Sequence, residues 1–164
     1  MIMKSKIVNG VLLTSVMLFL CACITKKEEE VVVIDKEQIK KEIQAKEDLF
    51  AKTYNAGEMK NIGYYAEDAT SFYQNMAPLV GKKAIGEFLA NGINSYAANN
   101  KISFTTVEVF PSNDGMQVVE IGYYKVVDST NTIINSGNYM GLFEKRDGNY
   151  VSVRDMSTSD MPIE

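Results

Sequence analysis

Lys101-Ile102-Ser103-Phe104-Thr105-Thr106-Val107-Glu108-Val109-Phe110 decides the architecture, because here the apolar residues leave helical spacing and begin to alternate. Period two continues through 116–128, 132–145 and 149–158. The breaks between these runs are Asn113-Asp114-Gly115, Asp128-Ser129-Thr130-Asn131 and Asp147-Gly148-Asn149, all rich in turn-forming residues. Four consecutive strands joined by short turns predict an antiparallel sheet.

Upstream of 101 the pattern is helical. Asp35 is placed to cap a helix, with Gln38 three residues on as in a capping box and Ile34 and Ile39 as a hydrophobic staple. The apolar face runs on through Ile43, Phe50 and Tyr54, and Gly57 supplies the stop. A short second helix is expected over 58–65, leading into an extended piece through Tyr73. The chain turns around Pro78 and Gly81, and a third helix over 82–96 carries Ile85, Phe88, Leu89, Ile93 and Tyr96 on one face. Helices first and strands afterwards predict an α+β domain over 35–164, three helices in all, packed on one side of a curved antiparallel sheet. That length suits one domain with a real core and is too short for two.

The N-terminus reads differently. Lys4 and Lys6 precede an apolar run from Val11 to Leu20, which is too short to span a bilayer, a task that needs about 20 apolar residues. Leu20-Cys21-Ala22-Cys23 resembles a bacterial lipobox, which implies cleavage after residue 22 and lipidation of Cys23. Cys21 fits less well, since cutting before it would leave the large Leu20 at −1. Residues 1–22 are thus read as a lipoprotein signal peptide and 23–34 as the lipidated cysteine with a charged tether, Lys26-Lys27-Glu28-Glu29-Glu30. The same run also resembles the export tag of surface lipoproteins in Bacteroidetes-type envelopes, and Ile24 is not the aspartate of an inner-membrane retention signal. The expected location is the cell envelope, lipid-anchored, at the outer membrane and surface-exposed where there are two membranes. One acyl chain holds only marginally, so the multiply acylated cysteine is the adequate anchor.

Removing 1–22 takes two lysines and no acid, moving the net charge from −4 to −6. That balance gives no footprint for nucleic acid. Both cysteines lie at 21 and 23 and there is no histidine, so the domain has no disulfide, no His/Cys zinc site, no Ser-His-Asp triad and no Cys-His pair. No glycine-rich phosphate loop follows a strand, and no cofactor is expected.

Tyr54-Asn55-Ala56-Gly57-Glu58, Tyr65-Ala66-Glu67-Asp68-Ala69-Thr70, Gly81-Lys82-Lys83-Ala84-Ile85, Gly137-Asn138-Tyr139 and Val153-Arg154-Asp155-Met156 occur in the order seen in the nuclear transport factor 2-like superfamily. The resemblance, closest to its SnoaL-like and ketosteroid isomerase-like branches, spans 35–162. It implies a cone in which the bent sheet wraps helix one and leaves a pocket at the open end, and it implies a homodimer through the sheet. Ketosteroid isomerases use a carboxylate base with a tyrosine and a protonated aspartic acid to hold an enolate oxygen. The corresponding positions here are Phe50 for the tyrosine, Tyr73 for the base and Met140 for the aspartic acid, so none of those groups is present.

The expected pocket is Phe50, Tyr54, Tyr73, Glu120, Met140, Asp155 and Ser157. Period two from Val153 puts Asp155 and Ser157 on one side and Arg154 and Met156 on the other. Asp155 with Tyr54 is the candidate catalytic pair, since a desolvated carboxyl can serve as acid or base. Of Tyr123-Tyr124, one ring is expected in the core and the other on a dimer face. Three function classes follow: a lipid-anchored domain binding a small apolar or amphipathic molecule, a cofactor-free isomerase or cyclase, and an envelope interaction module with no ligand.

Overall fold

The computed structural model of the chain describes residues 33–59, 62–95 and 99–162. The signal peptide, Cys21, Cys23 and the tether through residue 32 lie outside the described residues, as does Tyr96.

The first helix, α1, is Lys36–Asn55. Its start is the expected cap: Asp35 Oδ1 accepts the Gln38 amide at 2.9 Å. Its end is a Schellman motif, with Gly57 at φ 73°. The Gly57 amide bonds the Tyr54 carbonyl and the Glu58 amide the Thr53 carbonyl, each at 3.0 Å. Strands β1 (Tyr65–Tyr73) and β2 (Leu79–Val80) follow, then α2 (Lys82–Ser95). The chain closes with β3 (Lys101–Pro111), β4 (Gln117–Val127), β5 (Ile133–Arg146) and β6 (Asn149–Ser159). The two-residue loop between β5 and β6, Asp147 and Gly148, has positive φ at both positions, as a type I′ hairpin requires. No helix among the described residues is long and apolar enough to cross a membrane.

Two expectations are corrected. Among the described residues there are two α-helices, not three. Of the expected short helix over 58–65, residues 60 and 61 lie outside the described residues, and its end belongs to the sheet, where Tyr65 opens β1. The sheet is also mixed rather than wholly antiparallel. Its order is β2-β1-β6-β5-β4-β3, and β1 runs parallel to β6 while every other neighbour is antiparallel. The β1–β6 register breaks between Tyr65 and Thr70, and the bulged residues send Glu67 and Asp68 outward. There Asp68 meets Arg146 at 2.6 Å and Glu67 meets Lys82 at 2.9 Å.

The curved, unclosed sheet holds α1 along its β3 end, and side-chain amides stitch the two together. Gln44 accepts from the Thr106 amide at 2.7 Å and donates to the Phe104 carbonyl at 3.2 Å. Asn55 does the same for Ile102, with both bonds at 2.9 Å. These amides fill hydrogen-bonding positions that an edge strand would otherwise leave open. Ile43, Ile85, Val109, Val118 and Phe143 are fully buried between helices and sheet. Gly137 admits no side chain, because a Cβ there would lie 1.9 Å from the Thr158 carbonyl oxygen and 2.7 Å from the Tyr124 ring.

Candidate functional site

A cavity of about 270 Å³ lies between α1, α2 and the concave side of the sheet. Helix α1 supplies Glu47, Phe50 and Tyr54 at helical spacing. From α2 come Phe88, Leu89 and Gly92, and the sheet adds Tyr65, Tyr73, Phe104, Tyr124, Tyr139 and Asp155. Phe50 is the hinge of this aromatic wall, with ring centroids 4.8 Å from Tyr64, 5.4 Å from Phe104 and 6.2 Å from Tyr54 and Tyr65. Gly92 makes room for the Tyr54 hydroxyl, which would sit 3.3 Å from a Cβ at that position.

Three acids gather at the inner end, each served by a tyrosine hydroxyl. Asp155 Oδ2 accepts from Tyr65 at 2.9 Å. Glu47 accepts from Tyr64. Glu120 Oε1 accepts from Thr106 at 2.6 Å and Tyr139 at 2.9 Å. Burial raises the pKa of all three, opposed at Asp155 by the nearby Ser71 and Tyr65 hydroxyls. Glu47 is raised the most clearly, because Glu120 adds like charge to its desolvation. Glu120 Oε2 is buried without a hydroxyl or amide donor. Burial and the neighbouring Glu120 favour the protonated form of Glu47, in which its hydroxyl would be a donor for that oxygen. The hydroxyls stay protonated too: desolvation and the nearby acids raise Tyr64 and Tyr65, and push Tyr73 up to about 12.

Of the residues singled out from sequence, Phe50, Tyr54, Tyr73, Asp155 and Ser157 line this cavity. Glu120 is fully buried behind the wall rather than on it. Met140 is outside altogether: its side chain is 43% exposed, and the inward residue on β5 is Tyr139. The expected register was one residue off, and in a strand one residue exchanges faces. The hydroxyl on Asp155 belongs to Tyr65, not Tyr54. Tyr124 faces the cavity while Tyr123 is 37% exposed. Glu47, Tyr64 and Tyr65 were not singled out. For Glu47 a signal existed, since it falls four residues after Ile43 and three before Phe50, on the apolar stripe of α1.

No family model matches the sequence, and no curated protein does. Solved structures do match. A domain of unknown function with a cystatin-like fold from Nostoc punctiforme superposes with a TM-score of 0.65 at 14% identity, over 78% of this chain and 79% of that one. A nuclear transport factor 2-like protein with a cystatin-like fold from Novosphingobium aromaticivorans gives 0.59 at 12% identity, over 74% and 81%. A ketosteroid isomerase-like protein from Erwinia carotovora gives 0.56 at 14% identity, over 75% and 97%. The chain therefore has the cystatin-like, nuclear transport factor 2-like fold.

Proposed function

We propose that this chain is a lipid-anchored envelope protein whose cavity binds a small, largely apolar molecule with one polar end. The observation that carries the reading is the cavity itself, about 270 Å³ walled by aromatic rings and closed at its inner end by hydroxyls and carboxyls. That volume falls just under the range of about 300–1,000 Å³ usual for ligand sites, so the occupant is small. Anchoring rests on Cys23 and its lipobox. A homodimer through the sheet is supported by a row of exposed apolar side chains, Phe72, Met156, Met140 and Ile121, in register across β1, β6, β5 and β4.

Native mass spectrometry of the full chain purified from its own host tests all three parts. The expected result is an acylated chain that starts at Cys23, a dimer, and a small molecule released on activation in the gas phase. An unacylated chain removes the anchor, a monomer removes the dimer, and a chain that carries and takes up no small molecule removes the binding function.

A second reading, a cofactor-free acid–base catalyst of the isomerase kind, is favoured by the raised carboxyl of Asp155 beneath the Tyr65 hydroxyl and by the name of the Erwinia neighbour. It requires Asp155 to titrate near neutrality. Carbon-13 titration of that carboxyl with a midpoint above about pH 6 supports it, and a midpoint near the ordinary value of about 4 removes it.

A further inference from the structure

We propose that the ligand of this cavity is a small organic cation, an alkyl or arylalkyl ammonium, with its rings or chain against the aromatic wall and its N–H groups on the carboxylate of Asp155. The inference rests on the binding reading above and names the chemical class that the same site selects.

The charge inventory points one way. Glu47 and Asp155 line the cavity, Glu120 stands directly behind it, and no lysine or arginine is among the lining residues. An anionic ligand would meet carboxyls with no counter-charge in a chamber of low polarity, where repulsion is poorly screened. A cation meets both an opposite charge and a wall of aromatic rings, Phe50, Tyr54, Phe104 and Tyr124, whose π-systems attract positive charge.

Hydrogen bonding points the same way. A carboxylate has about four acceptor positions; on Asp155, Oδ2 holds Tyr65 at 2.9 Å, the Ser71 hydroxyl lies nearby, and Oδ1 is buried with no partner within hydrogen-bond distance. The surrounding hydroxyls are largely committed already, Tyr64 to Glu47 and Tyr139 to Glu120. What the inner end lacks is donors, and an ammonium group brings up to three.

The surroundings of Asp155 supply no rival cation among the described residues. Burial raises its carboxyl above the ordinary value, with the Ser71 and Tyr65 hydroxyls opposing the rise. The titratable groups that face Asp155 are Glu47 from α1 and Tyr64, Tyr65 and Tyr73 from β1 and the turn before it. Tyr139 comes from β5, and the described residues of α2 that line the cavity are Phe88, Leu89 and Gly92. None of these is a cation, so among the described residues no side chain competes with an arriving ammonium for the carboxylate of Asp155.

Calorimetric titration of the full chain with 2-phenylethylamine, 2-phenylethanol and phenylacetate at pH 6.5 tests this, since the three probes differ in charge and hardly in shape. The expected order is the ammonium at least ten-fold tighter than the alcohol, with phenylacetate weakest. Asp155→Asn should bring the amine to within about two-fold of the alcohol, the ratio being read within the variant itself. An alcohol or phenylacetate that binds as tightly as the amine overturns the cation assignment and leaves the cavity reading standing. Failure of all three probes at millimolar concentration overturns both. The wild-type comparison decides the matter even if the variant does not fold.

Discussion

Truncation of Phe50 to alanine is expected to lower the unfolding free energy of the domain by about 3 kcal/mol, the low end of the range for removing a buried phenylalanine. Phe50 is 7% exposed and stands among four aromatic rings contributed by α1, the turn before β1, β1 and β3. Its loss therefore removes contacts that join the helix to the sheet, not a contact within one element. The low end applies because one side of the ring already borders the cavity, so truncation enlarges an existing space instead of opening a sealed one. Urea unfolding with an unchanged m-value is the measurement. A cost below about 1 kcal/mol would mean that the aromatic wall is held by the sheet alone.

The elements that could be read from sequence were those fixed by local chemistry. Asp35 and Gln38 cap α1, and Gly57 ends it, because these residues act on their own neighbours in the chain. The last four strands were legible because alternation and turn residues recur without interruption from Lys101 to Ser159. What failed was non-local. Nothing in Tyr65-Ala66-Glu67-Asp68 announces that β1 will lie parallel to β6, 84 to 87 residues further along the chain, with a bulge between Tyr65 and Thr70. The end of the stretch 58–65 is non-local too, since Tyr65 is taken into the sheet as the first residue of β1.

The site was legible in proportion to how firmly each face could be counted. Helix periodicity placed Phe50 and Tyr54 inward, and parity from Val153 placed Asp155 and Ser157. Counting from a distant turn placed Met140 where Tyr139 belongs, and a one-residue error on a strand is a complete error of face. The acids were under-read because a charged residue on a helix or strand is normally given to solvent. Here Glu47 is 1% exposed and Glu120 fully buried, and both take hydroxyl donors, from Tyr64 on one side and from Thr106 and Tyr139 on the other.

The same buried acids set the sign of the pH dependence of stability, which is expected to be higher at pH 5 than at pH 8. Glu47, Glu120 and Asp155 all have raised folded-state pKa values, caused first by desolvation. A group of this kind contributes its full stability below its unfolded pKa, about 4 for a carboxyl. It loses that stability as pH rises through the folded pKa, because the unfolded chain gives up the proton more readily. Each proton held by the folded chain and released by the unfolded one gives a slope of about −1.4 kcal/mol per pH unit. Asp68, Asp114 and Asp128 have lowered values, Asp68 through Arg146, and so lose their contribution as pH falls below about 4. Their window lies below that of the buried acids, so the two sets together put the stability maximum on the acid side of neutrality. Glu47→Gln separates the main contributor, since the amide mimics the protonated carboxyl, accepting from Tyr64 and donating to Glu120. The variant should match the wild type near pH 5, exceed it at pH 8 and show a flatter profile by urea midpoint. A wild-type midpoint that rises from pH 5 to pH 8 would mean that Glu47 and Glu120 are both ionised in the folded chain, which a pair of carboxyls buried side by side without a cation cannot sustain.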